Sequence, residues 1–167
     1  PIDAAYDATN EAMLIADRNN DRIRRATVPG AVVTSPLGDG TDAVLDGVGT
    51  SARFQEVYSI AIDSSSTVLF VAEQTASKVR RIVIASLWVT TVIGSGTGGM
   101  TSSSDPLAAQ VPSPISTNHT HTAPVFHQQH LHATLDPSQI NKPQGLEWSG
   151  GMLYITQYHG VSKAYGR

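Results

Sequence analysis

The chain repeats itself, and this limits its fold more than any other feature of the sequence. Laid over itself at an offset of 56 residues, Ala5 falls on Ala61 and Asp7 on Asp63. Met13-Leu14-Ile15-Ala16-Asp17 falls on Leu69-Phe70-Val71-Ala72-Glu73, and Arg22-Ile23-Arg24-Arg25 on Lys78-Val79-Arg80-Arg81. Val33-Thr34 meets Val89-Thr90, Gly38, Gly40 and Thr41 meet Gly94, Gly96 and Thr97, and Ala52 meets Ala108. A third copy lies at an offset of 84 from the second: Leu153-Tyr154-Ile155-Thr156-Gln157 matches Leu69 to Glu73, and Leu146-Glu147 matches Ile62-Asp63. The second offset exceeds the first by 28, which predicts one insertion of that length, at 115–142. Five of the six His residues fall inside it, so composition and repeat arithmetic agree on its place.

Each unit reads as four short strands, in the second copy about 59–63, 67–73, 78–85 and 87–93. Apolar β-branched runs alternate with Ser-rich and Gly-rich turns, and none is long or periodic enough for a helix. Four short strands per repeat, joined by Gly-rich connections, describe a β-propeller blade. The expected fold is therefore all-β, with four-stranded antiparallel blades at about 3–37, 59–93 and 143–167. Alternation along the second strand turns Ile15, Val71 and Ile155 towards a neighbouring blade and predicts their burial. A propeller needs about four to eight blades to close. These blades are thus read as an incomplete ring, part of a larger propeller or closed by association. The start at Pro1 without Met or a signal-peptide pattern, and the stop at Arg167, read as a processed or partial chain.

Composition narrows the function. Charged residues are 15% of the chain, against about 25% in ordinary soluble domains. The 14 acidic and 11 basic residues give a net charge of −3. That balance opposes a nucleic-acid partner, which demands a concentrated basic face. The longest apolar run, Val83 to Val89, is broken by Ser86 and falls far short of a membrane span. With no Cys, disulfides, thiolate metal sites and cysteine nucleophiles are excluded. No Gly-x-Ser-x-Gly elbow is present, so the chain is read as not an enzyme.

The pattern apolar-Ala-Asp, a polar turn, then Arg-Ile-Arg-Arg resembles the NHL repeat. So does the connecting segment Gly38-Asp39-Gly40, Asp46-Gly47-Val48-Gly49 and Ala52-Arg53-Phe54. The resemblance is clear in two copies. In the third, Gln157 stands where the family has an acid, and Ser162-Lys163-Ala164 replaces the basic strand. It implies a propeller of five or six blades used mainly as a rigid binding platform, with a few lyases among its members.

Asp17 and Glu73, at matching strand ends, are expected to accept backbone N–H bonds in the following turn. Arg22, Arg24 and Arg25, with Lys78, Arg80 and Arg81, read as outward cations, solvated or in cross-strand ion pairs, flanking inward-facing Ile23 and Val79. Tyr58, Tyr154 and Tyr158 read as blade-packing residues. Asp39, Asp42 and Asp46 are a candidate Ca²⁺ set by residue type, but their spacing fails the EF-hand pattern. His119, His121, His127, His130 and His132 are candidate Zn²⁺ ligands. In the lyases that the resemblance brings in, such ligands come from different blades, whereas these crowd one loop, and no cofactor is expected. Asn118-His119-Thr120 is an N-glycosylation sequon, and Ser113, Ser116, Thr117, Thr120 and Thr122 around it are O-linked candidates. Val125-Phe126 is an apolar patch within the insertion, expected to pack against another blade or subunit.

The sequence is thus read as a non-enzymatic propeller scaffold and interaction module, a segment of a larger extracellular or cell-surface structural protein. It is a candidate for glycosylation and is expected to meet protein partners by self-assembly or through further blades. Two alternatives stay open. One is an amidating-lyase-like metal-dependent enzyme, the other an intracellular protein- or RNA-binding adaptor.

Overall fold

The structure, a computed structural model, describes residues 1–94, 140 and 142–157, and the backbone of 160–166. Three antiparallel sheets follow one another along the chain. The first is a four-stranded meander of β1 (Asp3–Asp7), β2 (Ala12–Asp17), β3 (Arg22–Thr27) and β4 (Val33–Leu37). A connecting segment contributes the two-residue β5 (Gly47–Val48) to the outer edge of the second sheet. That sheet is otherwise the meander β6 (Val57–Ile62), β7 (Val68–Glu73), β8 (Lys78–Val83) and β9 (Trp88–Ile93). The third contains β10 (Pro143–Ser149), β11 (Met152–Gln157) and β12 (Gly160–Gly166). These are β-propeller blades, and the repeat registers with them: Val71 opposes Arg80 and Ile15 opposes Arg24, at matching positions.

The apolar cores lie between the sheets. Leu14, Ala16, Ile23 and Leu37 of blade 1 meet Ile60, Leu69, Val71, Ile82 and Val89 of blade 2, with Phe54 from the connection. On the other face of blade 2, Ala61, Phe70, Val79 and Ile93 meet Ile140, Leu153 and Ile155. Stacking makes both faces of the middle sheet interior, and its strands are apolar on both sides accordingly. The innermost strands β1, β6 and β10 are also tied directly. The Ser59 hydroxyl and the Ile60 N–H both donate to Asp3 Oδ2, at 2.7 and 2.9 Å. The Leu146 N–H then donates to Ser59 Oγ at 3.0 Å.

Three expectations change. Val71 and Ile155 are fully buried, but Ile15 is only half-buried. Residues at this repeat position face the preceding blade, and within the described residues blade 1 has no preceding blade. The third hairpin is also in a different register. Leu146 opposes Ile155 as Ile60 opposes Val71, so Leu146 is the structural counterpart of Ile60 rather than Ile62. The cause is the turn. Asp63 organises a long β6–β7 connection by accepting from the Thr67 and Val68 N–H groups at 2.7 and 2.9 Å. Blade 3 instead turns on Gly150 and Gly151, both at positive φ, the geometry of a two-residue hairpin. Finally, not every strand cation is solvated: Arg80 is the largest fully buried side chain among the described residues.

Candidate functional site: the interface between blades 1 and 2

Arg80 stands on the face of β8 that meets blade 1, two residues beyond Lys78, which opposes Glu73 directly. Its Nη1 donates to both Glu73 carboxylate oxygens, at 3.1 and 3.2 Å, and to the Arg53 carbonyl at 3.1 Å. Nη2 donates to the Leu45 carbonyl at 2.9 Å and to Asp46 Oδ1 at 2.7 Å. The guanidinium carbon lies 5.4 Å from the centre of the Phe54 ring. One side chain thus binds the acid at the end of β7 to the segment joining the two blades. Burial raises the Glu73 pKa above 4.5, against the opposing pull of Arg80 and the Gln55 N–H. That N–H, at 2.8 Å, is the backbone donor expected for Glu73, but it comes from the connection rather than the following turn.

The equivalent pair in blade 1 is open. Arg24 donates through Nε to Asp17, and its side chain is 38% exposed. Asn20 also donates to Asp17, at 3.0 Å to each oxygen. Burial opposes ionisation of Asp17, but these hydrogen bonds outweigh it and hold the pKa below 3.8. Among the described residues nothing covers Arg24 as the 38–54 segment covers Arg80. Around it the same face exposes Tyr6 at 48% and Val33 at 54%, whose counterparts in blade 2 are Ile62, half-buried, and Val89, fully buried.

Where β1–β2 and β3–β4 turn beside β6–β7 and β8–β9, the sheets of blades 1 and 2 part. A cavity of about 660 Å³ opens there. Its lining includes buried Leu14, Leu37, Leu69 and Ile82 and, at the exposed side, Asn10, Thr34, Ser65 and Thr67. Arg25, also lining it, donates to the Asn10 carbonyl at 3.2 Å. In the next interface, the corresponding position is filled by Phe70 stacked on Trp148, ring centres 5.6 Å apart.

The calcium candidates are dispersed. Asp39 accepts from Arg53 at 2.9 Å and from the Thr41 N–H at 2.8 Å, and its pKa falls to about 2. Asp46 is held by Arg80 and by Thr91, and among the described residues no group of three acids or His assembles. Tyr58 lies beneath the Arg18 guanidinium, 5.0 Å from ring centre to Cζ, while Arg18 pairs with Glu56 across blades. The glycan, zinc and packing candidates all lie outside the described residues: Asn118, Ser113, Ser116, Thr117, Thr120, Thr122, His119, His121, His127, His130, His132, Val125 and Phe126. Tyr158 lies there too. Sequence reasoning passed over the Arg80 network and the cavity. The signal for the first was present, because Asp17 with Arg24 and Glu73 with Arg80 recur at one spacing.

No protein-family model matches the sequence. No curated protein resembles it significantly. Solved structures do resemble it in fold. One is a structural genomics protein of unknown function from Bacteroides thetaiotaomicron, with TM-score 0.64, 15% identity, and 95% of this chain covered. Auxiliary nutrient binding proteins from Bacteroides ovatus and Bacteroides thetaiotaomicron match with TM-scores of 0.60 and 0.57, each at 15% identity over 95% and 91% of this chain. The chain spans only 33–35% of the length of these three structures. At this identity, the likeness is one of fold.

Proposed function

We propose that the chain is a non-enzymatic propeller segment that works as a scaffold and interaction module within a larger assembly. The open face of blade 1 carries this reading. The same face of blades 2 and 3 is covered by a preceding blade, and it is apolar in blade 1 as well, with Tyr6 and Val33 exposed. Exposed apolar surface on one side of a regular stack is what a docking face requires. The reading extends to an extracellular or cell-surface setting, with glycan carried at Asn118 and association aided by Val125-Phe126 in the insertion. Its partners are proteins: further blades or further copies.

Sedimentation velocity tests it. A variant carrying Tyr6→Asp and Val33→Asp, both on the open face, is expected to lose the self-association or partner binding of the parent chain while keeping its thermal unfolding. Association undiminished by both charges would remove the face from the account.

A further inference from the structure

The two blade interfaces are built on one plan but filled differently. In the second, Phe70 stacks on Trp148 with an interplanar angle of 10°. The repeat puts Leu14 where blade 2 has Phe70. Strand register puts Ile62 where blade 3 has Trp148, since Ile62 opposes Leu69 as Trp148 opposes Leu153. Two flat rings in one interface are thus two aliphatic side chains in the other, and Leu14 lines the cavity of about 660 Å³. That volume suits a small organic ligand.

Among the described residues, one cation lines the cavity. Arg25 is the direct cross-strand partner of Leu14 and lines the same cavity. Opposed residues on neighbouring strands hold their Cβ atoms about 5 Å apart, so a ring lying on Leu14 is within a short alkyl chain of the guanidinium. Arg25 donates to the Asn10 carbonyl, which leaves most of its five N–H donors for an acceptor from outside. Asp7, the acid in the lining, does not compete. Its Oδ1 accepts from the Thr9 and Asn10 N–H groups, both at 3.1 Å, and its Oδ2 from Asn10 Nδ2 at 2.8 Å.

We infer that this cavity is a binding site for a planar aromatic ring carrying a carboxylate on a short chain. The ring takes the place that aromatic stacking fills in the next interface. The carboxylate pairs with Arg25 at the mouth, and the Thr34 and Thr67 hydroxyls border it. This site is separate from the open face of blade 1, so either can fail without the other.

Calorimetric titration of the whole chain with indole-3-propionate, and with its neutral amide, tests the assignment. Both probes are expected to bind saturably below about 1 mM. Arg25→Gln should weaken the carboxylate by roughly tenfold and leave the amide within about twofold. Leu14→Phe, which puts back the ring that blade 2 already has, should weaken both probes by roughly tenfold and raise the unfolding temperature. If Leu14→Phe fails to fold, the change at half-buried Arg25, Arg25→Gln, still decides. Absence of saturable binding, equal loss of both probes in Arg25→Gln, or undiminished binding in folded Leu14→Phe would each overturn the proposal.

Discussion

Two arginines one repeat apart show how context sets the worth of a residue. Arg80 and Glu73 are both fully buried, so removing one leaves the other as an uncompensated charge. Arg80→Met is expected to cost about 3–5 kcal/mol. Arg24→Met removes the same bond at a 38% exposed site and is expected to cost about 0–1 kcal/mol. Urea unfolding of the two variants checks the contrast. Asp63 supplies the pH dependence. Burial resists its charge, but bonds from Ser65, Thr67 and Val68 bring its pKa down from 3.8 to about 2. A carboxylate whose pKa is lower in the folded state stabilises above its unfolded pKa and loses that contribution as pH falls through the folded value. Wild type should therefore exceed Asp63→Asn by about 2 kcal/mol near neutrality, with the gap closing between pH 4 and 2. A gap independent of pH would refute the linkage.

At the scale of the strand, the repeat made most of the fold legible. Periodicity located the strands of blade 2 to within a residue or two, because β-branched runs between polar turns have few other solutions. What it missed came from treating each sheet as having one wet face. Stacked blades bury both, which is why Arg80 is inside and why Ile15, at the end of the row, is not. The Leu146 register was also hidden, since two glycines shorten a turn without disturbing the flanking apolar pattern. Val71, covered on the blade 1 side, should cost about 1–3 kcal/mol when cut to Ala. Gly38, at the end of β4, has φ +83°, and an added Cβ would lie 2.6 Å from the Asp21 carbonyl oxygen. Gly38→Ala should thus destabilise by more than about 1 kcal/mol in thermal unfolding. The cavity was beyond sequence reasoning, because it depends on what Leu14 fails to fill once two sheets are packed.

Taken whole, the molecule is a row of blades in which each sheet completes the interface begun by the one before. The connecting segment at 38–54 is part of that interface, since both Nη groups of Arg80 donate to it, at Leu45, Asp46 and Arg53. Blade 1 presents Arg24, Tyr6 and Val33 in the arrangement that receives such a neighbour. Within the insertion expected at 115–142, Ile140 belongs to the core between blades 2 and 3, so deletion of 115–139, which spares it, should leave blades 1 and 2 folded by circular dichroism while weakening association. The covering of the blade 1 face is the centre of the account, and the chain offers a clean probe of it because it contains no Cys. Val33→Cys and Asn19→Cys can each be labelled with a maleimide in the native assembled protein. Asn19 is exposed on the β2–β3 connection, outside the strands that form the face. The account predicts that Val33→Cys reacts roughly tenfold or more slowly than Asn19→Cys in the assembly, and that the two converge once it is dissociated. Equal rates in the intact assembly would contradict it.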